Sequence, residues 1–232
     1  MCVKWPLSFW RTTKGPLSAI LGSISTLQRG RQLGITDDER DGLFEAIQLS
    51  GDKMNRLVND LLDMDRIDRG LLRPEREPTD IGRLAKRVAR ECETLGPHPV
   101  RVESDPILVD IDAGRVERIV ENLLVNAARH TPVGTPIRIF AKAMPAGVQL
   151  IVEDEGPGVP DQLKQSLFDP FRQGPAAAGR GVGLGLSLVR RFAELHGGAA
   201  HVEDRSGGGA RFVIDLPGAV EALDVTSRLR AV

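Results

Sequence analysis

The feature that most constrains the fold is a run of apolar residues between Asp37 and Gly70. Leu43, Ile47, Ser50, Met54, Leu57, Leu61 and Met64 recur at alternating intervals of four and three, a heptad seam broken once by a serine. Val58 and Leu62 broaden the stripe. Thr36-Asp37-Asp38-Glu39 supplies a capping box with acidic residues in the first turn, and Gly70 supplies a helix stop. Upstream, Leu17, Ile20, Ile24 and Leu27 share one helix face from Pro16 onward, and Gly30 to Gly34 is a turn-like break. Two striped helices joined by a short turn make a helical hairpin. A lone hairpin cannot bury both stripes. Pairing with a second copy as half of a dimeric four-helix bundle buries them, and packing against a second domain of the same chain is the plainer alternative.

Beyond the hairpin the pattern changes. "RPEREPTD" carries two prolines among charges and reads as a linker over residues 73–78. Thr79-Asp80 opens a helix through Ile81, Leu84, Ala85, Val88 and Cys92. Short strands are expected at 100–103, 107–110, 137–143, 148–152, 199–203 and 211–216, with strong helices at 115–129 and 184–196. This interleaving predicts an α/β sandwich with helices on one sheet face, so the chain as a whole is α+β. Residues 218–232 read as a tail of weak helical character. Residues 1–15, which hold both tryptophans (Trp5 and Trp10), are compositionally foreign to the rest.

The net charge of −1 gives no electrostatic footprint for nucleic acid or an anionic membrane. No apolar run approaches the roughly 18 residues needed to span a bilayer. Cys2 and Cys92 make neither a disulfide framework nor a metal-ligand spacing, so a cytoplasmic location is expected.

Four motifs carry the chemistry. In "ENLLVNAARHTP", Asn122 and Asn126 lie four apart on one helix face, and Arg129 extends that face toward any anion. In "VEDEGPGVP", a strand runs into Asp154, followed by Gly156 and Gly158, which allow close backbone approach to a flat ligand. In "LFDPFRQG", Phe168 and Phe171 flank a proline. Finally Gly181, Gly183 and Gly185 alternate and run into a helix, where free amides and the macrodipole favour phosphate. The small residues from Pro175 to Gly179 read as a lid. Each motif alone has an ordinary structural explanation: a solvated amide, a turn, a loop anchored by rings, a flexible connector.

Taken in order, the motifs resemble the N, G1, F and G2 boxes of the sensor histidine kinase nucleotide-binding domain, in the ATPase superfamily shared with gyrase, Hsp90 and MutL. "PLSAILGSISTL" and "MNRLVNDLLDMDRIDRG" resemble the two helices of that family's dimerisation and phosphotransfer hairpin. The resemblance covers about residues 16–217 and implies a hairpin over 16–72 and a catalytic ATP-binding domain over 79–217. It implies ATP and Mg²⁺ as cofactors, with Asn126 as a Mg²⁺ ligand, Arg129 on phosphate and Asp154 on the adenine amino group. Gly156 and Gly158 would shape that pocket, Phe168 and Phe171 form the F box, and Gly181, Gly183 and Gly185 form the lid and phosphate loop. Asn122 stands where hydrolytic relatives carry a catalytic Glu. An amide is no general base, so transfer rather than hydrolysis is implied.

One departure stands out. Aligned on Pro16-Leu17, the family's acceptor His falls on Arg11, which is not a phosphoacceptor. His98, His130, His196 and His201 all lie outside the hairpin. The expected function is therefore the core of a two-component ATP-dependent histidine kinase lacking its own acceptor, truncated or split. The alternative is an ATP-binding pseudokinase or dimerisation module that regulates a partner kinase. The implied partners are a second copy through the hairpin, a response regulator receiver domain and a separate protein bearing the acceptor His, with neither nucleic acid nor membrane.

Overall fold

A computed structural model of the chain describes residues 7–172 and 183–222. The hairpin forms from α1 (Leu7–Gln28), a single helical turn α2 (Gly30–Leu33) and the long α3 (Asp37–Asp68). α1 begins at Leu7 rather than at Pro16, which lies inside it, and the break expected at Gly30 to Gly34 is itself mostly helical. Gly34, at φ 65°, ends that turn. The Thr36 capping box forms, with the Thr36 amide donating to Glu39 Oε2 at 2.8 Å and Glu39 N donating back to Thr36 Oγ1 at 3.2 Å.

The expected stripe on α1 divides in two. Pro16 and Ser23 are buried and Ile20 and Leu27 half-buried, whereas Leu17, Leu21 and Ile24 stay exposed. On α3, Phe44, Leu49, Val58 and Leu62 are likewise exposed. One hairpin covers only the inner stripe of each helix.

The second unit begins with β1 (Glu77–Asp80), inside the segment read as linker. It continues through α4 (Ile81–Glu91), β2 (Val100–Ser104), β3 (Ile107–Ile111), α5 (Ala113–His130), β4 (Ile137–Met144) and β5 (Gly147–Glu153). It closes with the short α6 (Asp161–Lys164), α7 (Gly185–Leu195), β6 (Ala199–Asp204), β7 (Ala210–Pro217) and β8 (Val220–Ala222). A 5-stranded sheet has the order β2-β4-β5-β7-β6, with β2 parallel to β4 and the other pairs antiparallel. A 3-stranded antiparallel sheet, β1-β3-β8, flanks it. The weak helical tail expected from 218 is therefore corrected over 220–222, which add a strand to β3. Three residues have no helical periodicity to complete, and the open edge of β3 supplies the hydrogen bonds that decide their conformation.

The core follows the pleat. Val148, Leu150 and Val152 on β5 and Phe212, Ile214 and Leu216 on β7 point to one face, where they meet Ile119, Leu123 and Ala127 of α5 and Leu188 and Phe192 of α7. Helices α4, α5 and α7 cover that face, giving the expected α/β sandwich.

Candidate functional site

The apolar side of α5 is buried in the sheet, which turns Asn122, Asn126 and Arg129 to the other side. Asn122 Nδ2 donates to the Arg118 carbonyl one turn back at 2.8 Å. This fixes the amide so that Oδ1 faces the start of α7, where a Cβ on Gly185 would lie 2.8 Å from it. The residue before α7 is Leu184, whose side chain makes no capping bond. The first-turn amides of an 11-residue helix thus open beside a carboxamide, with the positive end of the dipole outward. The Asn126 side chain is half-buried and makes no hydrogen bond among the described residues, and Arg129 is exposed with no ion pair among them.

Asp154 follows β5 directly and is 4% exposed. Its Oδ1 accepts from Gly156 N at 2.8 Å and Ala210 N at 3.3 Å, while Oδ2 has no partner among the described residues. Burial raises its pKa above the ordinary carboxylate value; the two amides, His130 and Arg205 pull it back. Gly156 sits against the His130 carbonyl at the end of α5, and Gly158 against the Gly209 carbonyl. The Asp154 loop and the asparagine helix therefore meet, as the motif order predicts.

Phe168 is buried, edge-on to Phe212 at 6.4 Å, with the Arg190 guanidinium 5.0 Å from its ring centroid. Phe171 is only half-buried. It holds φ 62°, a strained conformation for an aromatic residue, and donates its amide to the Gly183 carbonyl at 2.9 Å. Phe168 thus sits in the core, while Phe171 packs against it from the point where the chain meets Gly183. Gly181 and the lid reading of Pro175 to Gly179 lie outside the described residues.

The hairpin also packs on this second unit, the plainer alternative offered by its apolar stripes, through residues that no motif named. Arg118 bonds to both Asp60 and Asp63, and Arg115 reaches Asp63 at 3.0 Å. Both guanidiniums stack over Phe192, at 5.5 and 5.4 Å from its centroid. Leu57 and Met64, seam residues of α3, are buried in the core that α5 and α7 share. Asp60 has its pKa raised to about 6, chiefly by burial, with Asp63 and Glu121 adding to the rise and Arg118 and Arg56 opposing it. Glu121 turns away from Asn122 and pairs with Arg56 at 3.6 Å. The one available signal was that Arg118 lies a turn before Asn122 on the same face.

None of the four histidines lies on the hairpin. His196 is buried, its Nδ1 donating to the Phe192 carbonyl at 2.7 Å and its Nε2 accepting from Asp112 N at 3.1 Å, and burial lowers its pKa. His98 is buried with Nδ1 3.0 Å from the Thr135 carbonyl, and His130 and His201 are exposed on the second unit. Arg11 falls within α1, but its side chain lies outside the described residues. No cluster of three or more His, Cys, Asp or Glu fit for a metal occurs among the described residues. No helix among them is long and apolar enough to cross a membrane.

Comparison with known proteins agrees with this geometry. Residues 111–220 match a family described as histidine kinase-, DNA gyrase B-, and HSP90-like ATPase, and residues 13–70 match the His kinase A (phospho-acceptor) domain. The chain is 34% identical over 217 residues to the histidine protein kinase DivJ of Caulobacter vibrioides, covering 87% of this chain and 35% of that protein. Among solved structures, a mycobacterial sensor histidine kinase, MprB, is 30% identical with a TM-score of 0.55, covering 62% of this chain and 97% of that one. Full-length ShkA in complex with AMPPNP is 30% identical with a TM-score of 0.69, covering 93% of this chain and 45% of that one. The chain spans less than half the length of the curated relatives it matches.

Proposed function

Because the chain belongs to the sensor histidine kinase family, we propose that its second unit binds Mg-ATP and transfers the γ-phosphoryl group to a histidine supplied by another protein. The observation that carries this reading is Asn122 Oδ1 set 2.8 Å from the Cβ position of Gly185, at the uncapped start of α7. A carboxamide and a row of free amides on one wall suit a polyphosphate. Asp154 Oδ2 accepts from the adenine amino group, with Gly156 and Gly158 shaping the pocket edge. Asn126 would hold Mg²⁺ through its amide oxygen, a hard ligand suited to that cation, which would supply charge neutralisation of the phosphates. Arg129 balances phosphate charge, Phe168 and Phe171 fix the loop leading into the phosphate segment, and Gly181, Gly183 and Gly185 belong to that segment. Mg-ATP supplies the transferable group, and the chain's own part is positioning and charge neutralisation. Asn122 cannot act as a base and Glu121 is turned toward the hairpin, so water is left unactivated.

In this reading residues 16–72 form the dimerisation hairpin and 79–217 the catalytic domain. The partners are a second copy, a response regulator receiver domain and a separate acceptor-His protein, all in the cytoplasm. Arg11 at the position aligned with the family's acceptor His favours a second reading, an ATP-binding pseudokinase or dimerisation module that regulates a partner kinase.

The test is transfer from [γ-³²P]ATP. The chain alone gives no acid-labile label, and adding a hairpin with an intact acceptor His gives label on that hairpin. ATP binding without label on any such hairpin overturns the transferase reading in favour of the pseudokinase. Asp154→Asn weakens ATP binding; unchanged affinity would mean that the pocket lies elsewhere.

A further inference from the structure

The turn between β6 and β7 holds three consecutive glycines, Gly207, Gly208 and Gly209, with φ of 94°, 96° and 101°. Glycine reaches this conformation without strain, but such a turn has little rigidity of its own. It nonetheless lies directly against Asp154: a Cβ on Gly209 would sit 2.0 Å from the Asp154 carbonyl oxygen. Ala210, the next residue, donates its amide to Asp154 Oδ1 at 3.3 Å and accepts from Asp154 N at 3.0 Å. The carboxylate read as the adenine acceptor thus takes its orientation partly from a glycine turn.

One side chain pins that turn. Arg205, only 13% exposed, donates from Nη1 to the Gly208 carbonyl at 2.9 Å and from Nη2 to Glu155 Oε1 at 2.8 Å. Its Nε lies 3.5 Å from Glu153 Oε2, and its backbone amide donates to the Gly209 carbonyl at 3.2 Å. A single guanidinium therefore grips the two carboxylates on either side of Asp154 and the tip of the glycine turn behind it. Arg138 backs Glu155 at 3.4 Å, and Arg211 backs Glu153 at 3.1 Å. A planar, permanently charged fork with several fixed donors suits this bridge, and a lysine would satisfy only part of it.

We propose that Arg205 is a positioning residue for base recognition: by bridging Glu153, Glu155 and the Gly207–Gly209 turn, it holds the Asp154 carboxylate toward an adenine amino group. The inference rests on the reading of Asp154 given above. It makes adenine selectivity depend on a residue outside the four motifs. Arg205 also lowers the Asp154 pKa, which favours the acceptor form of the carboxylate.

The probes are ATP and inosine triphosphate, which carries a carbonyl where ATP has its amino group. Wild type prefers ATP, and Asp154→Asn abolishes most of that preference. Arg205→Met reduces the ATP-to-ITP ratio of affinities at least fivefold, while ITP affinity stays within about twofold of wild type. Arg205→Lys recovers part of the ratio, and Glu155→Gln, a milder change at a partly exposed carboxylate, lowers it by a smaller factor. In the Arg205→Met/Asp154→Asn double variant the ratio is no lower than in Asp154→Asn alone, because both changes act on one hydrogen bond. An Arg205→Met protein that keeps the wild-type ratio, or that loses ATP and ITP affinity equally, overturns the proposal. Should Arg205→Met fail to fold, a Glu155→Gln protein with the wild-type ratio overturns it. A wild type that does not distinguish the two nucleotides overturns the reading of Asp154, and the proposal with it.

Discussion

Gly185 and Gly183 lie two residues apart, yet they exclude side chains for different reasons. At Gly185 the obstacle is the end of one side chain, Asn122 Oδ1, which can turn aside only by giving up its bond to the Arg118 carbonyl. Alanine also favours the helix that Gly185 begins, by up to about 1 kcal/mol. Gly185→Ala therefore leaves the melting temperature nearly unchanged but weakens ATP binding about tenfold, equivalent to about 1.4 kcal/mol. Added to Asn122→Ala it weakens binding no further. Gly183 has φ 74°, and a Cβ there would lie 2.5 Å from the Arg172 carbonyl, which is backbone. Gly183→Ala is accordingly a stability mutation, costing about 2 kcal/mol or more. Thermal melts and ATP titrations of the two proteins separate the effects.

The C-terminal half of α3 serves the second unit as much as the hairpin. Asp63 is the shared acceptor of Arg115 and Arg118, and its removal leaves two partly buried guanidiniums short of a partner. Asp63→Ala costs roughly 3 kcal/mol, measured by denaturant unfolding. Asp60 behaves differently. Its pKa is raised from 3.8 to about 6 in the folded chain, so its contribution to stability is full below about pH 4 and is lost as pH rises through about 6. Wild type loses on the order of 1–3 kcal/mol on this account between pH 4 and pH 7, and Asp60→Asn removes that slope from the unfolding free energy. A wild-type slope retained in the variant would show that another group carries it. In the sequence this docking was legible only as an alternative, and none of its residues could be named. A heptad seam predicts burial without naming the partner, so Leu57 and Met64 read the same whether a second copy or α7 covers them. Asp63 and Arg115 are 52 residues apart and no local pattern links them. The long helices and the alternating strands were legible because each carries its own period. β1 and β8 were not, because strands of 4 and 3 residues take their conformation from β3. The four motifs singled out Asn122, Asn126 and Asp154 as candidates, and the structure sets the Asp154 loop against the end of α5, but Arg205 had no motif to announce it.

For the molecule as a whole, the outer stripe of the hairpin is an apolar face left uncovered by the chain itself. Leu21 is 59% exposed and Leu49 63% exposed, which a lone chain in water would not favour across two helices. We expect a dimer by sedimentation and expect Leu21→Glu/Leu49→Glu to sediment as a monomer. ATP affinity in that variant stays within about twofold, since both side chains are exposed on the hairpin and take no part in the site; a dimer that survives the change would exclude this face. The connection between hairpin and second unit bears on how such an assembly works. After α3, the amides of Leu71 and Leu72 still donate to the Arg66 carbonyl, at 2.8 and 3.3 Å. By Glu75 the chain is already bound to the other unit, its amide on Asp112 Oδ2 at 3.0 Å, and Arg76 follows with donations to the carbonyls of Asp110, Pro217 and His196. Only Arg73 and Pro74 lie between these anchorages, so Leu72 and Glu75 are at most about 11 Å apart. So short a tether leaves the second unit no room to travel along the hairpin and holds it at the foot of α3, where Asp60 and Asp63 meet Arg118 and Arg115; in the reading proposed above, the histidine has to come to that foot, because the domain cannot go to it.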